Sequence, residues 1–194
     1  CISGDGTRIA ILARNDMAAG QSHPVFALGA VRVYDYAAGA WTQKGIDIPG
    51  IDANNTNDWN QAHKVWLSND KTTVFVGTIE FSSDSQQAGG AHAFRFSSGA
   101  WNQIGADIHG TPFAGLIPGS SSDWFGHTLT SSSDGNIVAI SAVYHGANFV
   151  QSGGTVTGSL NATGAVQVYK YASGAWSTKG AKIYGNAPES RWGE

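Results

Sequence analysis

The chain is short of several things at once, and each shortage removes a class of answer. It has one cysteine, Cys1, among 194 residues, so no intrachain disulfide forms and no metal cluster rests on cysteine ligands. Charged residues make up 13%, about half the usual share. Eleven Lys and Arg are scattered against fourteen Asp and Glu, for a net charge of −3. With no basic run to neutralise phosphates, nucleic-acid binding is not expected. No apolar run approaches the roughly 20 residues that cross a bilayer as a helix, and stretches such as NIVAISA (136–142) have the length of strands. Helical periodicity is missing over any useful window. So are paired-histidine metal motifs, a G-x-S-x-G nucleophile elbow and a phosphate-binding loop.

What remains is 26 Gly, seven Trp and a 41% apolar content, enough to bury a core and to exclude a disordered chain. Low charge with many Gly, Ser, Thr and Asn suits an all-β surface or secreted protein. The aromatics recur in a pattern. GAVRVYDYAAGAW (29–41), GGAHAFRFSSGAW (89–101) and GAVQVYKYASGAW (164–176) are copies of one stretch. Each runs on into a matching tail: TQKGIDIPG to Gly50, NQIGADIHG to Gly110 and STKGAKIYG to Gly185. Self-similarity at this period marks a repeat architecture.

Each unit reads as four strands joined by hairpins. The third unit is the clearest, with strands over 127–132, 136–142, 166–171 and 176–183, and Ser133-Asp134-Gly135 turning the first pair. The motif tryptophans are spaced by 60 and then 75 residues, the extra length falling in loops 111–122 and 143–163. Four antiparallel strands in a unit of this size is the anatomy of a β-propeller blade. A lone four-stranded sheet cannot bury both faces, and stacking units face to face solves that. The repeated Trp and Tyr are expected to be packing residues. The units divide the chain as 1–50, lacking its first strand; 51–110; 111–185, with long loop insertions; and 186–194, which resembles the start of a further unit. About three blades are thus expected, as part of a longer propeller or a tandem array, or of a ring completed by another chain.

The stretch SSDWFGHTLTSSSDGNIVAISA (121–142), followed by GAVQVYKYASGAWSTKGAKIYG (164–185), resembles the integrin-α-like, FG-GAP-like propeller repeats. It is more similar still to the divergent form in large secreted or surface proteins of marine microbes and algae. The likeness covers nearly the whole chain. It weakens in the second unit, where Asp58-Trp59-Asn60-Gln61 replaces the D-x-F-G start. It implies an extracellular or cell-surface adhesive or structural propeller, and it does not imply an enzyme. Integrin-type repeats often carry a calcium loop, D-x-D-x-D-G. The corresponding turns here, SGDG (3–6), SNDK (68–71) and SSDG (132–135), offer one carboxylate each. Calcium takes six to eight oxygens, several from carboxylates. No cofactor is therefore expected, calcium being the one alternative and unsupported by these turn sequences, and the Asp side chains are read as local hydrogen-bond acceptors.

Other candidate chemistry is sparse. His23, His63, His92, His109, His127 and His145 form no short-range pair. Asp47 and Asp107 hold equivalent places in successive tails, with Lys182 in the third, which marks them as repeat features and not as a catalytic pair. Asn54 and Asn161 head two N-x-T sequons in expected loops and are candidate glycosylation sites. The unequal loops 14–28, 111–122 and 143–163 are where recognition would sit. Within them Tyr144, His145, Asn148 and Phe149 are the richest set of ligand- or partner-contact side chains. The expected function is a non-enzymatic extracellular structural or adhesive protein, assembling with copies of itself or with matrix and surface proteins. A glycan-binding, lectin-like propeller and an enzyme with a site assembled across blades are the alternatives.

Overall fold

A computed structural model describes residues 1–13, 30–49, 62–79, 89–110, 123–145, 150–152, 155–157, 163–187, 190 and 192–193. The fold is all-β, with no helix among the described residues, and hence none long and apolar enough to cross a membrane. The first sheet holds β1 (Arg8–Ala13), β2 (Ala30–Ala37), β3 (Ala40–Gln43) and β4 (Ile48–Pro49). The second holds β5 (Ala62–Leu67), β6 (Thr73–Thr78), β7 (Gly90–Ser97), β8 (Ala100–Gln103) and β9 (Ile108–His109). The third runs from β10 (Phe125–Ser131) to β11 (Ile137–Ala142), and then to β14 (Ala165–Ala172), β15 (Ala175–Thr178) and β16 (Ile183–Tyr184). Between its halves, β12 (Val150–Ser152) and β13 (Thr155–Thr157) form a separate antiparallel hairpin.

All strand pairs within the three sheets are antiparallel. The motif strand is central in each. β2 pairs with β1 along its length, and on its other side with β3 and then β4. The sequence suggests one continuous return strand from Trp41 to Ile48. The structure breaks it, because Gly45, Gly105 and Gly180 each take a positive φ between β3 and β4 or their equivalents. The hairpin ahead of each motif Trp is tighter than its single Gly suggests. Ala38, Ser98 and Ser173 join Gly39, Gly99 and Gly174 at positive φ, so both central residues are left-handed, as a type I′ turn requires. The region 143–163, read from sequence as a loop, contains β12 and β13. Their three-residue runs, VQS and TVT, are too short to stand out as strands.

The first unit is not bare at its leading edge. Ile2 bridges Ile9, the Cys1 ammonium donates to the Ala10 carbonyl at 2.9 Å, and Ala10 N–H donates back to Cys1 at 3.0 Å. Residues 1–3 thus stand where β5 and β10 stand in the other sheets.

The sheets stack face to face in chain order. Ala10, Val31, Val33 and Ile48 of the first sheet pack on Leu67, Val74, Val76, Phe94 and Trp101 of the second. The opposite face of the second sheet (Phe75, Ala91, Ala93, Ile108) packs on Phe125, Leu129, Val138 and Ile140 of the third. Successive residues of a strand point to opposite faces, so β6 sends Val74 and Val76 one way and Phe75 the other. All six residues of β6 are buried.

Each interface closes with an indole clasp. Trp101 Nε1 donates to the Lys44 carbonyl at 2.8 Å, and Trp176 Nε1 donates to the Ile104 carbonyl at 2.9 Å. Lys44, Ile104 and Lys179 occupy one repeat position. The glycine after each leaves room for the incoming ring: a Cβ on Gly45 would crowd Phe96 and Trp101, and one on Gly105 would crowd Tyr171 and Trp176.

Candidate functional site

Two groups of polar residues recur through the stack and are structural, and a third is centred on the third unit. In the tails, Asp47 accepts from Arg32 Nε at 3.1 Å and from Gln43 Nε2 at 2.7 Å. Asp107 lies 2.8 Å from His92 Nδ1 and accepts from Gln103 at 2.6 Å. The pattern is one repeat position of the central strand tied to one of the tail. In the third unit Gln167 takes the strand position and donates to the Gly180 carbonyl at 3.2 Å. Burial pushes the Asp107 carboxyl up, but the hydrogen bonds from His92 and Gln103 and the electrostatic pull of His92 and His109 together outweigh it and leave the carboxyl lowered.

In the turns, Ser3, Ser68 and Ser132 donate to Asp5, Asp70 and Asp134 at 2.7, 2.6 and 2.6 Å. Each of those serine oxygens accepts from the backbone N–H five residues on, at Arg8, Thr73 and Ile137. The Asp accepts from the N–H two residues on, at Thr7, Thr72 and Asn136. These are the local acceptor roles that the turn sequences suggest. Among the described residues no three His, Cys, Asp or Glu side chains converge as a metal site. The turns also link the sheets, through Lys71 Nζ to Asp5 at 2.6 Å and Asp70 N–H to the Ser133 carbonyl at 2.9 Å.

The third group does not repeat throughout. Tyr144 and His145 follow β11, and Trp124 precedes β10 with a positive φ of 55°, a strained backbone for a bulky residue. Asp123, buried to 1% exposure, organises the group. Its Oδ1 accepts from Phe125 N–H at 3.1 Å, and its Oδ2 accepts from His145 Nδ1 at 3.2 Å. Its carbonyl accepts from Tyr144 N–H at 3.0 Å. Trp124 meets Tyr144 edge to face at 4.6 Å and stacks on His127 at 5.8 Å. His127 stacks in turn on His63 at 4.3 Å, and His145 lies 5.6 Å from the Tyr184 ring.

Two of the sequence candidates, Tyr144 and His145, are therefore neighbours in one aromatic and imidazole cluster. Asn148 and Phe149 lie outside the described residues, as do the sequon residues Asn54 and Asn161. Trp124, His63 and His127 belong to the cluster and were not singled out from sequence. A signal existed: His63 and His127 each stand five residues before the Ser of a Ser-x-Asp turn, which puts them at one repeat position on adjacent first strands. Chemically, the cluster offers stacking faces next to an imidazole and a phenol. A comparison with protein-family models finds no match, and neither does a comparison with curated proteins.

Proposed function

We propose that this chain is a non-enzymatic extracellular structural or adhesive repeat protein of the propeller type, which assembles with other proteins through its blades. One observation carries the reading. Ile48, Ile108 and Ile183 fill one repeat position, yet their exposures are 2%, 5% and 51%. Trp101 and Trp41 likewise share a position, and their exposures are 9% and 42%. Residue types that lock the inner interfaces are thus presented on the outer faces of the first and third sheets, as apolar surface suited to a protein contact. The repeat of antiparallel sheets of four, five and five strands, stacked in chain order, supports the reading of propeller blades and the FG-GAP-like resemblance.

The test is an apolar dye. At a dilution where the chain is monomeric, the dye is expected to bind and fluoresce. Trp41→Asp and Ile183→Asp should each remove part of that signal, while Asp134→Asn should leave it unchanged. A chain that binds no dye lacks open apolar faces, and the reading falls.

The Trp124 cluster favours a second reading, glycan binding. Aromatic faces beside polar side chains suit the apolar face of a sugar ring, and Tyr144 has no aromatic counterpart among the repeated motif residues. Quenching of tryptophan emission by a glycan, lost in Trp124→Ala, would support it. A glycan array without binding would end it.

A further inference from the structure

His63 and His127 share a repeat position on β5 and β10, and both lie where their strand slips its register. The pairing of β5 shifts between Ala62 and Lys64, and that of β10 shifts between Phe125 and Leu129. Irregularities of this kind re-aim a side chain. Here the two imidazoles stack 4.3 Å apart across the boundary between the second and third sheets. Trp124 lies nearly parallel to His127, at 5.8 Å and 15°, and Tyr144 is set against the indole at 86°. From this we infer that the cluster takes an acidic sugar, with its ring against Trp124 and Tyr144 and its acid group beside the imidazoles of His63 and His127. The inference rests on the glycan reading above and names the class of glycan.

The hydrogen bonds favour an acid group. His63 Nδ1 lies 3.3 Å from the His127 carbonyl. A carbonyl only accepts, so Nδ1 carries the hydrogen and the neutral ring keeps its lone pair at Nε2. His63 is exposed, so solvent supplies a proton to Nε2 as pH falls through the imidazole range of about pH 8 to 5. The ring then offers a charged N–H donor in place of an acceptor. Two charged imidazoles stacked at this distance repel each other. A carboxylate or sulfate beside them removes that repulsion and accepts charge-assisted hydrogen bonds. Binding of the acid group and uptake of the proton therefore favour each other.

The neighbouring charges agree. Asp123 is the carboxylate within the cluster, and it is buried. Its Oδ1 accepts from Phe125 N–H at 3.1 Å and its Oδ2 from His145 Nδ1 at 3.2 Å, so its charge is met inside the protein. His145 is a third imidazole, with the Tyr184 ring 5.6 Å away. Lys64 adjoins His63 in β5 and adds positive charge. The phenols of Tyr144 and Tyr184 add hydroxyl groups and no charge.

Calorimetric titration of the full chain tests this with three ligands. One is an oligogalacturonate. The second is its methyl ester, which keeps the sugar rings and loses the charge. The third is the O-sulfated methyl ester, which carries its charge on sulfate alone and so separates the two kinds of acid group. At least one of the two acidic forms is expected to bind about tenfold more tightly at about pH 5.5 than at about pH 8, the range over which imidazole charges. That binding should take up protons, seen as a heat that varies with the ionisation enthalpy of the buffer. The plain ester should bind more weakly at the lower pH and change less than about twofold between the two. His63→Gln keeps an exposed polar side chain but takes up no proton. It should reduce the tenfold pH ratio to about threefold or less, with the circular dichroism spectrum unchanged. Trp124→Phe, which offers a smaller ring, should weaken all three ligands. Asp134→Asn, in a turn outside the cluster, should titrate as wild type does.

Three results would overturn the inference. Equal binding of acidic and neutral forms at both pH values would end it and leave the glycan reading standing. A preference for the acidic form that does not change with pH, or that His63→Gln keeps in full, would place the acid group away from the imidazole pair. Absence of binding by all three ligands would end the inference and the glycan reading together.

Discussion

The middle sheet and its two neighbours are built from one sequence pattern, yet the middle sheet is buried on both faces and each neighbour on one. Val74, Phe75 and Val76 of β6 are all fully buried, while Ile11 of β1, at the repeat position of Val76, is exposed. What differs is the place in the stack and not the residue type. Burial in a repeat array is a nearest-neighbour property, so a side chain of given chemistry contributes to stability only where a sheet faces it.

The largest test of that contrast is in β6. Phe75→Ala is expected to cost about 3–5 kcal/mol, the range for truncating a fully buried aromatic. It removes contacts on the side of the third sheet, including the edge-to-face contact with Trp176 at 5.8 Å. Ile11→Ala is expected to cost less than about 1 kcal/mol, because the side chain leaves little apolar contact behind. Equilibrium denaturation in urea measures both. Equal losses would show that the outer face of the first sheet is covered in solution, and would break the contrast between inner and outer faces.

A smaller effect isolates the clasp. Gly105 and Gly180 share a repeat position and a positive φ of 69° and 79°, so alanine meets the same backbone penalty at both. Only at Gly105 does the new methyl run into the Trp176 ring. Gly105→Ala is expected to cost about 1–3 kcal/mol more than Gly180→Ala, the usual range for overpacking, measured by the same denaturation. If the two substitutions cost the same, the indole does not depend on that gap.

The sequence shows the strands and hairpins because their signals are short-range. Alternating apolar residues and a Gly before each motif Trp are read within a dozen positions. The interfaces are not readable in that way. β6 is apolar on both faces, so its pattern says it is buried twice without saying by what, and the clasp from Trp101 to Lys44 spans 57 residues. The same holds for the candidate cluster. Tyr144 and His145 lie in a region that sequence marks for recognition. Their partners Asp123, Trp124 and Tyr184 come from other parts of the chain, and His63 reaches His127 across a sheet boundary. Each histidine judged alone looks like an ordinary strand residue. Only alignment on the Ser-x-Asp turns puts the two side by side.

The smallest effect separates a turn that spans two sheets from one that serves its own sheet, and low pH reads it. The hydrogen bond from Lys71, with those from Ser3 and Thr7, holds the Asp5 carboxyl far below its ordinary range. Hydrogen bonds from Ser132 and Asn136 lower Asp134 to about 2. A folded-state pKa below the unfolded value of about 3.9 means stability that is present above about pH 4 and lost as pH falls toward the folded value. Both carboxylates are at the surface, where solvent screening keeps such contributions small. Asp134→Asn should therefore flatten the stability profile between about pH 4 and 2 and do little at neutral pH. Asp5→Asn should do the same and also loosen the first sheet from the second, since Asp5 accepts from Lys71 across that boundary. Hydrogen exchange at pH 5 distinguishes them: faster exchange in β1 for Asp5→Asn, with β11 unchanged in both variants. Exchange that rises equally in β1 and β11 for either substitution would mean that the turns act only within their own hairpins, and that the sheets are held together by their apolar faces and indole clasps alone.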